Sequence, residues 1–494
     1  MKNIIFILLL VLSFIEGRAQ GSFEEFKSKL NSEYSAFKSA HEQDFENFRK
    51  RINEEYAALL EKSWREFNAL KGVPIPEEDE LVPPVVYPEE DKDENLEDRP
   101  LPFDEVIPVV EPDPQPTPIT PIEEKPEPMD TWFDFTFFNT KLKVRLDNKG
   151  QFVLQRCEER DIAKVWNYLA SGVYDNTLYD CLEIRSRYEL CDWAYLLMLN
   201  ELSQSCFKGR HNEAVLLTAF LYCQSGYKMR LASAGEQLFL LYASKHMIYD
   251  KPYWTIDGEM FYPFNCTLEQ LYICDAAFPE EKPLSLQIQT EQKFGVKSSA
   301  VRKLQSEKYG DMKANVVTNE NLLAFLNSYP TSIINNDFGT RWAMYANTPL
   351  SNQAKSTLYP SLQKAIQGKG QLEAVNRLLN FVQTAFVYEY DDKVWGYDRA
   401  FFADETLYYP YCDCEDRSIL FSRLVRDLLE LEVVLIYYPG HLATAVHFDD
   451  VVTGDYVTIN GKRYVICDPT YIGAPVGATM PKMDNTKAKI ILLS

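Results

Sequence analysis

Hydrophobic and polar positions in the last quarter of the chain change from a helical to an alternating pattern. Apolar residues follow helical spacing at Ile419, Leu420, Leu424, Val425, Leu428 and Leu431. This spacing predicts a helix that begins at residues 414–416. The runs 433–438 and 441–447 predict two strands, separated by the Pro439-Gly440 breaker. Asn460-Gly461 predicts a type I′ hairpin that pairs residues 456–459 with 462–468, so the region has an α+β pattern.

An 11-residue aromatic repeat marks the N-terminal part of the chain. It consists of Phe23, Tyr34, Phe45, Tyr56 and Phe67, with a second series at Phe26, Phe37, Phe48 and Leu59. A seam with a period of about 3.67 residues predicts a long amphipathic helix or coiled coil over residues 20–72. We expect this helix to associate with itself or to dock on a partner. The alternative is a single helix that lies along its own domain.

The composition changes after this helix. Residues 73–129 contain 15 of the 27 prolines and most of the excess negative charge of a chain whose formal net charge is −22. A proline-rich, self-repelling segment predicts an extended, semi-rigid linker. The acidity is therefore a property of the linker and says little about the substrate. The sequence has no basic patch of the kind that indicates a nucleic-acid partner.

The first residues resemble an export signal. Lys2 precedes an apolar run from Ile4 to Phe14, and Gly17-Arg18-Ala19 supplies small residues at a cleavage site. Residues 1–19 therefore predict a signal peptide and an exported protein, either periplasmic or secreted. No stretch is long enough for a membrane span. The length of 494 residues predicts about three domains, and we place two of them at residues 130–345 and 346–494.

Three residues in the C-terminal part have the order needed for thiol catalysis. Cys414 lies at the predicted helix start, His441 follows 27 positions later (441 − 414), and Asp468 another 27 later (468 − 441). A helix N-terminus and a nearby imidazolium both lower the pKa of a thiol and so favour the nucleophilic thiolate. An aspartate on the neighbouring strand can hold the histidine tautomer. The alternative for Cys414 is a small apolar residue packed in a core.

These residues resemble a known family. The run Asp413-Cys414-Glu415-Asp416-Arg417-Ser418, the isolated His441 and the segment Asp468-Pro469-Thr470 are similar to the motifs of the bacterial transglutaminase-like superfamily, over residues 372–480. The resemblance implies a papain-like α+β core, with a nucleophile helix packed on an antiparallel sheet. It also implies acyl transfer through a thioester, with Cys414 as nucleophile, His441 as general base and acid, and Asp468 as its orienter.

The oxyanion hole is less defined by the sequence. The backbone N–H of Cys414 is one expected donor, because helix starts leave such groups unpaired. Papain-like enzymes use a glutamine as the second donor and transglutaminases use a tryptophan. Gln383 and Trp395 are the two candidates; the spacing does not decide between them, and we prefer Gln383.

An earlier part of the chain repeats this arrangement with an offset of 203 residues. The first copy would place His211, Leu238 and Asn265 at the positions of Cys414, His441 and Asp468, with His246 as a rival for the middle position. A leucine cannot carry a proton, so residues 130–345 predict an inactive copy. A chance likeness between two α+β segments is the alternative.

No metal-ligand spacing, phosphate-binding loop or dinucleotide-binding turn is present, and we expect no metal and no cofactor. The sequence predicts an exported cysteine-dependent acyl-transfer enzyme, a peptidase or amidase that acts on peptide or isopeptide bonds in proteins or peptides. Two alternatives stay open. One is a non-catalytic binding or assembly protein with a degenerate site, and the other is a protein-glutamine transglutaminase.

Overall fold

A computed structural model describes residues 43–76, 81–88, 96–111, 116, 118, 131–146 and 151–494. The chain divides into two compact units, Met1–Glu55 and Tyr56–Ser494. In the first unit, residues 43–55 are helical. The predicted signal peptide and the repeat residues Phe23, Phe26, Tyr34 and Phe37 lie outside the described residues.

The helices of the second unit follow in chain order. They are α1 (Glu159–Tyr168), α2 (Asp175–Arg187), α3 (Asp192–Cys206), α4 (His211–Gln224), α5 (Glu320–Leu326), α6 (Gly339–Asn347), α7 (Asn352–Ile366), α8 (Gln371–Ala385), α9 (Asp391–Val394), α10 (Ala403–Tyr408) and α11 (Cys414–Leu429). A π-helical turn at Leu169–Val173 follows α1, and a 3₁₀ turn lies at Asn485–Lys487.

The strands before residue 300 are β1 (Trp64–Asn68), β2 (Val85–Val86), β3 (Arg99–Pro100), β4 (Glu105–Ile107), β5 (Trp132–Phe137), β6 (Thr140–Arg145), β7 (Met229–Ala234), β8 (Gln237–Ala243), β9 (Met247–Ile248), β10 (Trp254–Ile256), β11 (Glu259–Phe264) and β12 (Gln270–Cys274). Those after it are β13 (Arg302–Gln305), β14 (Lys313–Val316), β15 (Ser332–Ile333), β16 (Val387–Tyr388), β17 (Tyr411–Cys412), β18 (Val433–Tyr438), β19 (His441–Val446), β20 (Asp455–Ile459), β21 (Lys462–Cys467), β22 (Tyr471–Ile472) and β23 (Lys489–Leu492).

Two sheets, each with five central antiparallel strands in the same order, organise the second unit. The first sheet has the order β1-β12-β7-β8-β11-β10, and the second has the order β3-β20-β21-β19-β18-β23-β4. Helix α4 packs on β7 and β8, and α11 packs on β18 and β19. In each case the helix is followed along the chain by five strands of the sheet. These five strands pair antiparallel in the same spatial order. The fold is α+β, as the alternating pattern of the sequence predicts.

In the described residues, the repeat helix ends before the predicted residue 72. Residues 43–60 are helical, and residues 64–68 form β1, which pairs with β12 at the edge of the first sheet. Tyr56 of the repeat packs against Trp166 at 4.9 Å and Phe278 at 5.1 Å between ring centroids. Phe67 lies in β1, so helical spacing does not continue to residue 72. Strand pairing with β12 supplies the backbone hydrogen bonds that a further helical turn would have formed.

The expected linker is not a free spacer in its described parts. Strands β3 and β4 extend the second sheet at its two edges by parallel pairing with β20 and β23, and β2 pairs with β22. The Arg99 guanidinium donates two hydrogen bonds to Asp455, one from Nε at 2.8 Å. Unpaired sheet edges attract extended backbone, and this overrides the tendency of a proline-rich, acidic chain to remain solvated.

The predicted domain boundary falls inside an element. Residues 345 and 346 lie within α6, which packs on α11 and on β23 of the second sheet. Residues 131–146 and 151–494 belong to one compact unit. The two similar sheets are therefore parts of a single unit.

Candidate functional site

The histidine and aspartate of the candidate triad are brought together by adjacent strands. His441 is the first residue of β19, Asp468 directly follows β21, and the two strands pair antiparallel. The Nε2 atom of His441 lies 2.9 Å from Oδ2 of Asp468. The other carboxylate oxygen, Oδ1, accepts from the backbone N–H groups of Thr470 at 2.8 Å and Tyr471 at 3.3 Å. Asp468 is thus held by its own turn in the position that orients His441.

The second ring nitrogen of His441, Nδ1, does not take part in the pair with Asp468. Nδ1 is buried and has no hydrogen-bond partner among the described residues. Because a carboxylate accepts hydrogen bonds, Nε2 carries the proton and Nδ1 has the free lone pair. This is the tautomer that can take a proton from a thiol.

Cys414 begins the helix that packs across this strand pair. It is the first residue of α11, and Asp413 and Asp416 form a reciprocal capping box around it. The backbone N–H of Leu442, next to His441, donates to the thiol. Ser418, one turn further along the helix, donates from Oγ to the carbonyl of Leu442 at 2.8 Å. The start of α11 is thus fixed against the start of β19.

The electrostatic surroundings of the thiol are opposite to those expected from the sequence. The Cys414 thiol donates to Oε2 of Glu415 at 3.2 Å. Burial, followed by the carboxylates of Glu415 and Asp413, raises the pKa of Cys414 well above its ordinary value, while the Leu442 N–H opposes this rise. The expected lowering by the helix N-terminus is therefore outweighed by two adjacent acids. In this state Cys414 is a neutral thiol.

The acids near Cys414 form a larger buried group. Burial and the neighbouring Glu415 raise the pKa of Asp391 to about 8. Burial also raises the pKa of Asp413 and of Asp416 well above the ordinary range, again with Glu415 among the causes. Glu415 and Asp416 belong to the sequence motif around Cys414, but the motif predicts no role for them. The signal available for them was a run of charged residues at the start of a helix whose other residues are apolar.

Gln383 has a structural role in place of the expected oxyanion role. Its Nε2 donates to the carbonyls of Asp468 at 3.1 Å, Tyr471 at 2.7 Å and Ala474 at 3.1 Å, and its Oε1 accepts from the N–H of Gly473 at 3.1 Å. Both amide protons are committed to these carbonyls. Gln383 therefore fixes the loop that carries Asp468 and is not available as an oxyanion donor in this conformation.

Trp395 lies in an aromatic cluster on the segment that follows α9. Its ring packs against Tyr409 at 4.9 Å and Phe401 at 5.8 Å, and the Arg399 guanidinium lies 4.5 Å from it. Helix α9, which precedes Trp395, begins with Asp391, whose carboxylate neighbours that of Glu415. Its role as an oxyanion donor stays a prediction.

Arg417 is a residue of the site that sequence reasoning did not single out. It is 1% exposed, and its guanidinium donates to the carbonyls of Gln383 at 3.1 Å, Phe386 at 2.9 Å and Pro469 at 3.4 Å. It ties α11 to the loop after β21 and to the end of α8.

An extended segment of the expected linker lies beside the triad. The N–H of Val82 donates to the carbonyl of Gly440 at 2.9 Å, and that of Tyr87 donates to Ile472 at 2.9 Å. The Tyr87 ring is buried against Tyr471 at 5.3 Å between centroids. Cys414, His441 and Asp468 are each 2% exposed. The candidate site is closed in this structure.

The first sheet has a corresponding site with different side chains. His211 is the first residue of α4, and its Nε2 lies 2.8 Å from the carbonyl of Leu238. The hairpin register pairs Ala234 with Gln237, as it pairs Tyr438 with His441. The structural counterpart of His441 is therefore the exposed Gln237, one residue before the expected Leu238.

The remaining positions of this first copy also lack the residue types needed for thiol catalysis. Asn265 directly follows β11, as Asp468 follows β21. The rival His246 lies beyond the end of β8, with Nδ1 at 3.4 Å from Ser332 Oγ. No cysteine, histidine and carboxylate occupy the three corresponding positions, so this copy cannot perform thiol catalysis.

Comparisons with known proteins provide no relative. No family model matches the chain, and neither the curated proteins nor the solved structures contain a significant match. Among the described residues, no helix is long and apolar enough to cross a membrane. All ten cysteines lie in the described part of the chain and are free thiols.

Proposed function

We propose that the protein is a cysteine-dependent acyl-transfer enzyme of the transglutaminase-like type that hydrolyses peptide or isopeptide bonds. The observation that carries this proposal is the buried His441–Asp468 pair at 2.9 Å, with Nδ1 of His441 left without a partner. A histidine held in this way is a general base in need of a proton donor. Cys414 supplies that donor from the start of the neighbouring helix.

The proposed reaction proceeds through a thioester. His441 Nδ1 takes the thiol proton as Cys414 Sγ forms a bond to the carbonyl carbon of the substrate. The C–N bond then breaks, and the leaving amine takes the proton from the imidazolium. Water, deprotonated by His441, attacks the thioester and releases the acid, which restores the thiol. The backbone N–H of Cys414 at the helix start can stabilise the oxyanion.

The segment at residues 81–88 supports a peptide as the substrate class. Its extended backbone hydrogen-bonds to Gly440, beside His441, and to Ile472, four residues after Asp468. These backbone groups can equally pair with another extended chain, as in recognition by strand addition. We propose that this chain is exported, either periplasmic or secreted, and that its peptide substrate belongs to a surface or envelope protein.

The closed and acidic surroundings of the thiol favour one competing function. Cys414 is 2% exposed, and burial with Glu415 raises its pKa, which is typical of an inert packed cysteine. In that case the protein would be a non-catalytic binding or assembly protein. A true transglutaminase would share the same triad and differ only in using an amine in place of water.

The deciding experiment incubates a library of quenched fluorescent peptides with the wild type, Cys414→Ser and Cys412→Ser. Cys412 is a matched control because it is buried and lies two residues before Cys414. We expect cleavage to fall by roughly 10³–10⁶-fold in Cys414→Ser and to persist in Cys412→Ser.

Two other outcomes would separate the alternatives. Equal products from the wild type and Cys414→Ser, read by mass spectrometry, would reject the enzyme and leave the binding protein. Incorporation of a labelled primary amine into glutamine side chains, lost in Cys414→Ser, would identify transamidation.

A further inference from the structure

A cavity of about 360 Å³ is lined by both halves of the second unit. Gln287, Ile288 and Gln289 line it from the half that contains the first sheet, and residues of α6 and α11 line it from the half that contains the second. Gln289 and Ser494 are exposed, so the cavity opens to solvent. Its volume falls in the range of small-molecule sites, about 300–1,000 Å³.

Several of the lining side chains are apolar. Ile333, Ala343 and Met344 are buried and face the cavity together with Ile334. Binding sites for organic molecules are lined mainly by such side chains, with a few polar groups that fix the orientation of the ligand. The apolar lining can therefore hold the carbon body of a ligand.

Two arginines supply the charge of the lining. Arg423 and Arg426 lie three residues apart in α11 and so share one face of that helix. No aspartate or glutamate lines the cavity in the part of the chain that the structure describes. The cavity is therefore cationic within a chain whose formal net charge is −22.

The charge of Arg423 is only partly balanced. Its guanidinium pairs with Asp427. However, Asp427 also accepts from the Tyr359 hydroxyl at 2.6 Å and lies 3.6 Å from Nζ of Lys355, so one carboxylate serves two cations and a phenol. Nε of Arg423 is buried and has no hydrogen-bond partner among the described residues.

Arg426 has neutral partners. Its guanidinium donates to the carbonyl of Ala346 at 3.2 Å, to Oδ1 of Asn347 at 3.1 Å and to the backbone oxygen of Ser494. Burial, followed by the charge of Arg423, lowers the pKa of Arg426 to about 10. A nearby anion would oppose both effects, because it favours the charged form of the guanidinium.

We propose that this cavity binds a small organic anion, with its carboxylate or phosphate group on Arg423 and Arg426 and its carbon body against Ala343 and Met344. Guanidinium groups form strong charge-assisted hydrogen bonds with the oxygens of either head group. Burial of the carbon body against the apolar lining adds a hydrophobic contribution.

The proposed site is separate from the triad. Arg423 and Arg426 come nine and twelve residues after Cys414 in α11 (423 − 414 and 426 − 414), which places them about 14–18 Å along the helix axis from Cys414. The inference rests on the cavity and its two arginines alone and does not depend on the proposed function.

The test is a ligand-observed NMR titration of the full chain with hexanoate, hexyl phosphate and the neutral hexanamide. We expect saturable binding of at least one anion, whose identity defines the head group, and binding of hexanamide weaker by roughly tenfold or more. Arg423→Gln and Arg426→Gln should each weaken anion binding roughly tenfold, because each removes a hydrogen bond to a charged group.

Arg377→Gln is the matched control and should bind like the wild type. Arg377 lies in α8, outside the cavity lining, and its side chain is 12% exposed, as is that of Arg423.

Three results would overturn the site. Lack of saturable binding of either anion at about 10 mM to the folded wild type would show that the cavity does not take such a ligand. Equal binding of hexanamide would show an apolar cavity without selectivity for anions, and this comparison needs no variant to fold. Unchanged anion binding in a folded Arg423→Gln or Arg426→Gln variant would place the anion elsewhere.

Discussion

The two central sheets share one topology and differ in what they hold at the same three positions. In each, a helix is followed by five strands paired in the same order. The second sheet places Cys414, His441 and Asp468 at the helix start, at the first residue of the second strand and just after the fourth strand. The first sheet places His211, Gln237 and Asn265 there. The scaffold therefore does not require a triad, and the three residues of the second sheet need a separate explanation.

Buried charges differ between the two halves in the same way. In the first half, buried acids pair with arginine, as in Arg145–Asp180 at 2.7 Å and Arg230–Glu281 at 2.8 Å. The second half has one such pair, Arg399–Glu405 at 2.6 Å, but Asp413, Glu415 and Asp416 are buried together there, and no salt bridge within the described ranges joins these three to lysine or arginine. Paired acids stabilise packing, whereas grouped buried acids, here with raised pKa values at Asp413 and Asp416, are typical of functional sites.

The largest expected contrast comes from exchanging Asp468 and Asn265 for each other's residue type. In Asp468→Asn, the Thr470 and Tyr471 N–H groups still require an acceptor, so the amide oxygen stays with them and the amide nitrogen faces His441. Nε2 then becomes an acceptor and Nδ1 carries the proton, which blocks transfer from the thiol. We expect peptide cleavage to fall roughly 10³–10⁴-fold, measured as kcat on the best peptide of the library.

The counterpart Asn265→Asp should leave cleavage unchanged, because no proton is transferred in the first copy. Similar losses in both variants would mean that the two sheets are not functionally distinct. An unchanged kcat in Asp468→Asn would remove the orienting role of Asp468 while leaving the fold comparison intact.

A smaller contrast concerns Arg417, whose counterpart at the same offset is the buried Ala214. Arg417→Met leaves the carbonyls of Gln383, Phe386 and Pro469 without their donor in a dry environment. We expect the free energy of unfolding to fall by roughly 3–5 kcal/mol, measured by urea denaturation. The free energy of unfolding of Arg417→Lys should lie between that of the wild type and that of Arg417→Met, because one ammonium cannot reach all three carbonyls. A loss below about 1 kcal/mol would show that the carbonyls find other partners.

The sequence predicts the second sheet well because its signals are local. Helical spacing, the Pro439-Gly440 turn and the Asn460-Gly461 hairpin define α11, β18, β19, β20 and β21, and the strand order brings His441 to Asp468. The described part of the linker and the last residues of the repeat helix differ from the prediction for a shared reason. The pairing of β1 with β12 and of β3 with β20 joins residues far apart in the chain, and neither composition nor periodicity encodes such pairing.

The raised pKa of the Cys414 thiol could not be predicted from the sequence, because it also depends on tertiary packing. A cysteine at a helix start indicates a lowered thiol pKa only if its neighbours are neutral or cationic. Whether Glu415 turns toward the thiol, and whether Asp391 approaches from another helix, depends on tertiary packing. Similarly, Gln383 has the residue type of an oxyanion donor, but the loop after Asp468 uses both of its amide protons.

The smallest expected effect is a pH dependence of stability that arises at Asp404 in the second half. Asp404 is buried, and this burial raises its pKa from 3.8 to about 6, although Ser351 donates to it from both its backbone N–H and its hydroxyl. A carboxyl whose folded pKa lies above its unfolded pKa favours folding when protonated. Its contribution is complete below about pH 4 and is lost as the pH rises to about 6, a change of roughly 3 kcal/mol at most. Asp404→Asn should reduce the slope of the unfolding free energy against pH over this range, measured by urea denaturation at several pH values; the slope that remains is expected from Glu405, whose pKa burial raises to about 7. If the variant keeps the wild-type slope, the dependence arises elsewhere, and the grouped acids around Cys414 would be the next groups to substitute.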